Sequence, residues 1–174
     1  MAIQEYNPIW QQGDDLTFGI IWSESVGSSG PQPVDFEDGG PDGTSVYSVR
    51  MDIVSDEGVR LYTLNSDTIV DADPAEEGDQ EDAVPVDIVT AEGVDRTIEP
   101  LEIYLLNGGI INVVVDRSLT LPGGAIYDLI AEGITLFNYD VFLRTAPVSD
   151  PTLGRQKKIL KGQITVEGSW TLWA

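Results

Sequence analysis

The sequence predicts a mainly-β chain: an antiparallel β-sandwich, Ig-like or jelly-roll-like, with one short helix and long acidic loops. Three observations point there. Apolar residues alternate with period two in several separate segments, as they do in strands with one buried face. Glycine-containing turn signals separate consecutive segments. Helical spacing of apolar residues occurs once.

The elements follow in chain order. In LTFGIIW, Leu16, Phe18, Ile20 and Trp22 fall on one face of a strand. In VYSVRMDIV, Tyr47, Val49, Met51 and Ile53 face one way, and Ser48, Arg50 and Asp52 the other. Asp56-Glu57-Gly58 is a turn signal, and Val59 to Leu64 is the returning strand. LEIYLL, Asn107-Gly108-Gly109 and IINVVV form a hairpin, since a tight reversal needs the positive φ angles that Asn and Gly adopt cheaply. Pro122 and two glycines then break the strand pattern. Ala125, Ile126, Leu129 and Ile130 recur at helical spacing, which predicts a helix over about 124–132 stopped by Gly133. Thr135 to Thr145 resumes alternation, with Phe137, Tyr139, Val141 and Leu143 on one face. After a polar loop at 146–157, Lys158 to Glu167 returns with Leu160, Ile164 and Val166 inward and a bulge expected at Gly162.

Two stretches lack strand character. Residues 27–44 are rich in Gly, Pro, Ser and acids and predict an exposed loop. Residues 67–95 contain DADPAEEGDQED at 71–82, in which seven of twelve residues are acidic. Such a stretch offers too little apolar surface to offset its ordering entropy, so an exposed insertion is expected. Val84, Val86, Ile88 and Val89 outline a short strand after it. The 174 residues suit a single β-sandwich domain over 1–174 with extended terminal arms, Met1 to Gln11 and Ser169 to Ala174.

Charge and missing side chains exclude function classes. Thirty acidic residues against nine basic give a net charge of −21, which repels phosphate backbones and anionic lipid. The excess is uneven: residues 1–95 hold 22 acids and two basic residues, and 96–174 hold eight acids and seven basic residues. There is no cysteine and no histidine, so disulfides, thiolate chemistry, Ser–His–Asp triads and histidine-containing zinc sites are excluded. Residues 1–25 lack a basic leader region, and no apolar run approaches the roughly 20 residues of a membrane span. The expectation is a non-enzymatic protein without cofactor, and without nucleic-acid or membrane partners.

Four groups of side chains remain as candidates. Asp71, Asp73, Glu76, Glu77 and Asp79, continued by Glu81 and Asp82, supply hard oxygen ligands for calcium. Their order departs from the EF-hand loop, and a solvated acidic loop is the simpler reading, with weak calcium binding as the minor alternative. Paired carboxylates for glycoside hydrolysis carry no signal, because thirty acids create such pairs by chance. Trp10, Trp170 and Trp173 sit in the terminal segments, where tryptophans anchor an arm to a neighbouring surface, whereas Trp22 lies on an inward strand face. Arg155, Lys157, Lys158 and Lys161 form the basic cluster, expected on a hairpin that is either an ordinary solvated tip or a contact with the acidic half of another copy or an acidic partner.

The chain also resembles small β-sandwich structural proteins of tailed bacteriophages, from the neck, tail and baseplate, including fibre-attachment proteins. The resemblance rests on Gln12-Gly13-Asp14-Asp15-Leu16-Thr17-Phe18 leading to Trp22, and on Tyr47-Ser48-Val49-Arg50-Met51. It continues through Gly109 to Val115, Leu121 to Glu132, Tyr139-Asp140-Val141, and Leu160-Lys161-Gly162-Gln163-Ile164-Thr165-Val166. The acidic stretch at 67–95 and the loop at 146–157 are longer than that pattern requires. The resemblance implies a virion protein without catalytic residues, assembled in the host cytoplasm in multiple copies and contacting itself and other virion proteins. A carbohydrate-binding host-recognition module and an exterior capsid decoration protein are the alternative expectations.

Overall fold

A computed structural model describes residues 3–25, 27–36, 39–40, 43–66, 87–89, 95–97, 102–106 and 108–168. The described strands are β1 (Gln4–Glu5), β2 (Ile9–Gln11), β3 (Leu16–Ile21), β4 (Ser23–Ser25), β5 (Pro31–Pro33), β6 (Ser45–Val54) and β7 (Arg60–Asn65). They continue as β8 (Asp87–Val89), β9 (Asp95–Thr97), β10 (Ile103–Leu106), β11 (Ile110–Val115), β12 (Leu136–Pro147) and β13 (Arg155–Glu167). A 3₁₀ turn at Arg117–Thr120 and the five-residue helix α1 (Tyr127–Ala131) link β11 to β12. The chain is mainly β, as predicted.

Strand β13 pairs antiparallel with β12, β12 with β6, and β6 with β7. The short strands β1 and β2 run parallel to β13 along its other side and complete a six-stranded sheet. A second sheet has the order β10-β11-β3, and β4-β5 and β8-β9 are two-stranded antiparallel pairs. The inward faces of the two larger sheets meet in one buried cluster. There the Phe18 ring of β3 lies 5.9 Å from that of Tyr139 on β12. Every position predicted inward on β3, β6 and β12 is buried, as are Leu160, Ile164 and Val166 on β13. Alternation succeeds here because each strand has one face toward that cluster.

The turns behave as their glycines predict. Gly108 and Gly109 take φ of 79° and 72° between β10 and β11. Gly58 takes 78° in the turn where the Ser55 amide donates to the Val59 carbonyl at 2.8 Å. Gly133, at φ 91°, closes the helical segment.

Four expectations need correction. The amino-terminal segment is no free arm: β1 and β2 satisfy the outer edge of β13, and Trp10 is buried at 1% exposure with its Nε1 donating to the Asp14 carbonyl at 2.6 Å. An indole this enclosed stabilises its own fold and offers nothing to a neighbour. The loop at 27–44 is not wholly exposed: Val34 and Phe36 are buried, and Phe36 meets Tyr47 edge-on at 5.2 Å. The loop at 146–157 is shorter than expected, since β12 runs to Pro147 and β13 starts at Arg155.

The fourth correction moves the bulge. Val141 pairs with Leu160 and Phe142 with Lys158, so the extra residue is Ile159. Gly162 has another reason to be glycine. A Cβ there would collide with the Tyr6 carbonyl, where the amino-terminal segment crosses β13. On either side of that crossing the Tyr6 amide donates to the Lys161 carbonyl at 3.1 Å, and the Gln163 amide donates to Asn7 Oδ1 at 2.8 Å.

Candidate functional site

The Ile159 bulge decides where the basic cluster goes. An unbroken strand would place Arg155, Lys157 and Lys161 on one face. One extra residue reverses the parity between Lys158 and Leu160. Arg155 and Lys157 therefore share the face of Thr145 and Leu143, whereas Lys158 and Lys161 share that of Phe142 and Asp140. The cluster lies on a strand and is divided between two surfaces, not gathered on a hairpin tip as expected.

Lys158 and Lys161 belong to the outer face of the six-stranded sheet. Across β12 from them, Arg50 pairs in register with Phe142, and Asp52 with Asp140. Asp52 is buried at 5% exposure, contrary to the solvent-facing position its alternation predicts. Thr63 Oγ1 donates to it at 2.8 Å, and Arg50 and Arg60 pair with it at 3.2 and 3.5 Å. Two guanidiniums and a hydroxyl replace the water this carboxylate loses. Lys158 Nζ lies 2.7 Å from Asp140 Oδ2. The Arg50 guanidinium and the Lys158 ammonium, from the strands on either side of β12, stand 5.1 and 5.4 Å from the centre of the same Phe142 ring, so one aromatic ring serves two cations.

The rows of this face bring together Arg50, Arg60, Arg144, Lys158 and Lys161, five of the nine cations in the chain. Three carboxylates stand in the same rows: Asp52, Asp140 and Glu5, the last in register with Lys161. The patch is therefore net positive on a chain of charge −21. The sequence cluster displays only two of the five, because Arg50, Arg60 and Arg144 are far from 155–161 along the chain and arrive by strand pairing. The even-numbered parity of Arg50 and Asp52 on β6 is the signal that already turns them away from the apolar face.

Arg155 and Lys157 line a different feature. They border a cleft of about 430 Å³ with Trp22, Glu24, Leu143 and Thr145. Lys157 Nζ sits 5.2 Å from the Trp22 ring centre. Glu24 accepts from Trp22 Nε1 at 3.1 Å and from the Tyr47 hydroxyl at 3.3 Å. Trp22 is buried at 8% exposure, as its inward position predicts, so its ring is not an open stacking platform.

Asp71, Asp73, Glu76, Glu77 and Asp79, together with Trp170 and Trp173, lie outside the described residues. Among the described residues no three acids are grouped to hold a metal ion, and no helix is long and apolar enough to cross a membrane. The Ser118 hydrogen bonds hold the Asp116 carboxyl below the usual carboxylate range, and burial pushes the Tyr139 phenol far up. Against models of known protein families, and against curated proteins, the chain has no match.

Proposed function

We propose that the protein is a non-enzymatic structural protein of a tailed-bacteriophage virion, in the neck, tail or baseplate, where copies assemble through subunit interfaces and fibre attachment is one form of the role. On this reading the two larger sheets are the layers of a β-sandwich, the partners are other virion proteins and further copies of the chain, and no nucleic acid or membrane is bound. The observation that carries it is charge segregation: a cationic sheet face on a strongly acidic chain suits selection among protein partners. The order of motifs from Gln12 to Val166 supports the phage context.

Mass spectrometry of purified phage particles that encode this chain tests the reading. The expected result is the chain at a defined stoichiometry in intact virions. Particles complete and infectious without it overturn the proposal. If the chain is instead found evenly over the head by cryo-microscopy, it is a decoration protein.

A further inference from the structure

We infer that the cleft between β4, the end of β12 and the start of β13 is a binding site for an acidic sugar, a monosaccharide unit whose carboxylate meets Arg155 and Lys157 and whose hydroxyls meet Glu24 and the hydroxyl residues of the rim. Arg155 and Lys157 alternate along β13, in register with Thr145 and Leu143 of β12, so both lie on the cleft side of the sheet. Both are exposed, and among the described residues no ion pair holds either one. Two such cations side by side, on a chain with thirty acids against nine basic residues, mark a place for an anion from outside. Lys157 Nζ rests 5.2 Å from the centre of the Trp22 ring, which positions the ammonium without neutralising it.

The β4 wall supplies the acceptor. Glu24 Oε1 accepts from Trp22 Nε1 at 3.1 Å, and Glu24 Oε2 from the Tyr47 hydroxyl at 3.3 Å. A carboxylate oxygen accepts more than one hydrogen bond, so each can also take a sugar hydroxyl in a charge-assisted bond. Ser23, Ser25 and Thr145 border the same cleft with groups that both donate and accept. Cations on one side and hydroxyl partners on the other match a ligand with a carboxylate and several hydroxyls. An acidic protein side chain offers only the carboxylate. The volume of about 430 Å³ falls in the range of small-molecule sites, roughly 300–1,000 Å³. The wall is also fixed in place. The Trp22 amide donates to the Gly109 carbonyl at 2.7 Å, and the Trp22 carbonyl accepts from the Val34 amide at 3.1 Å. Pro33 and Pro31 of β5 stand opposite Ser23 and Ser25, and their rings restrict the backbone that backs β4. A preformed wall lowers the ordering cost of binding.

An NMR titration of the full-length chain with D-glucuronate tests this, read at the Trp22 indole N–H and at the amides of Ser25, Thr145 and Lys157. The expected result is saturable shifts at these positions with a millimolar dissociation constant. D-glucose, which lacks the carboxylate, and N-acetylglutamic acid amide, which lacks the hydroxyls, bind about tenfold or more weakly. Arg155→Gln and Lys157→Gln each weaken glucuronate about tenfold or more. Both side chains are exposed, and the rest of each variant's spectrum reports its folding. A tetrasaccharide ending in glucuronate that binds about tenfold tighter than the free sugar assigns the cleft to a glycan end, and equal affinity assigns it to the free sugar. No saturation with millimolar glucuronate overturns the inference, as does binding that survives both variants. Glucose that binds as tightly overturns it, because the cations then take no part. N-acetylglutamic acid amide that binds as tightly overturns it too, because the cleft then takes an acidic protein side chain. Shifts centred on Phe142 and Lys161 place the anion on the opposite face of the sheet and also overturn it. Absence of the chain from virions refutes the proposed function and leaves these titrations readable.

Discussion

Tyr139 shows how one polar atom ties a chain end to the core. Its ring packs among buried residues of β12, and its hydroxyl donates to the Tyr6 carbonyl at 2.6 Å. Tyr139→Phe removes that bond and leaves a backbone acceptor short of a partner, for an expected loss of about 1 kcal/mol in chemical denaturation. The same phenol predicts a pH effect. Its folded-state pKa is raised, so its stabilisation is complete below the ordinary phenol value of about 10 and drains away as pH rises above that value. Wild type is therefore expected to lose stability at alkaline pH more steeply than Tyr139→Phe. Superimposable pH curves refute the assignment. Gly162 is the second sensitive position. Gly162→Ala drives a Cβ into the Tyr6 carbonyl and separates the amino-terminal segment from β13. The expected cost is about 1–3 kcal/mol, with faster hydrogen exchange at the Tyr6 amide.

Among the elements, the 3₁₀ turn at Arg117–Thr120 depends on one cap. Asp116 Oδ1 accepts from the Ser118 amide at 2.7 Å, and the Ser118 hydroxyl, followed by this amide, lowers its pKa. A depressed carboxylate pKa stabilises the fold above the unfolded value and loses that contribution as pH falls through the folded value. Asp116→Ala is expected to cost about 0.5–1 kcal/mol at neutral pH, with the gap from wild type closing toward pH 2 in a urea titration. A gap that is constant with pH counts against the cap. Period two and glycine turns made the long strands β3, β6, β12 and the β10–β11 hairpin readable, because each has one apolar face. Strands β1, β2, β4 and β5 were not readable. They are two or three residues long, carry Pro, Gln, Glu and Ser, and exist through pairing with distant or hairpin partners. Gly162 predicts a bulge because glycine permits one, but the register gives the extra residue to Ile159.

At the scale of the whole molecule, the charge of −21 makes stability depend on salt. Self-repulsion within the folded chain is screened by salt, so the melting temperature of the monomer is expected to rise by a few degrees, about 2–4 °C, between about 20 and 500 mM NaCl. Differential scanning calorimetry at low protein concentration reads this directly, and a flat or falling melting temperature contradicts it.

The sequence by itself determined the mainly-β class, the inward face of each long strand, the short helix ending at Gly133, and the lack of cysteine and histidine chemistry. These follow from local periodicity and composition, which neighbouring residues carry without reference to the rest of the chain. Tertiary structure alone decided that Trp10 is core, that Asp52 is buried between two arginines, and that the basic residues near 155–161 part company across a bulge. It also decided that Arg50, Arg60 and Arg144 join Lys158 and Lys161 on one face. Each of these depends on which strand lies beside which, and in what register. Pairings such as Asp52 with Asp140, or Gln4 with Leu160, span separations along the chain that no local pattern encodes.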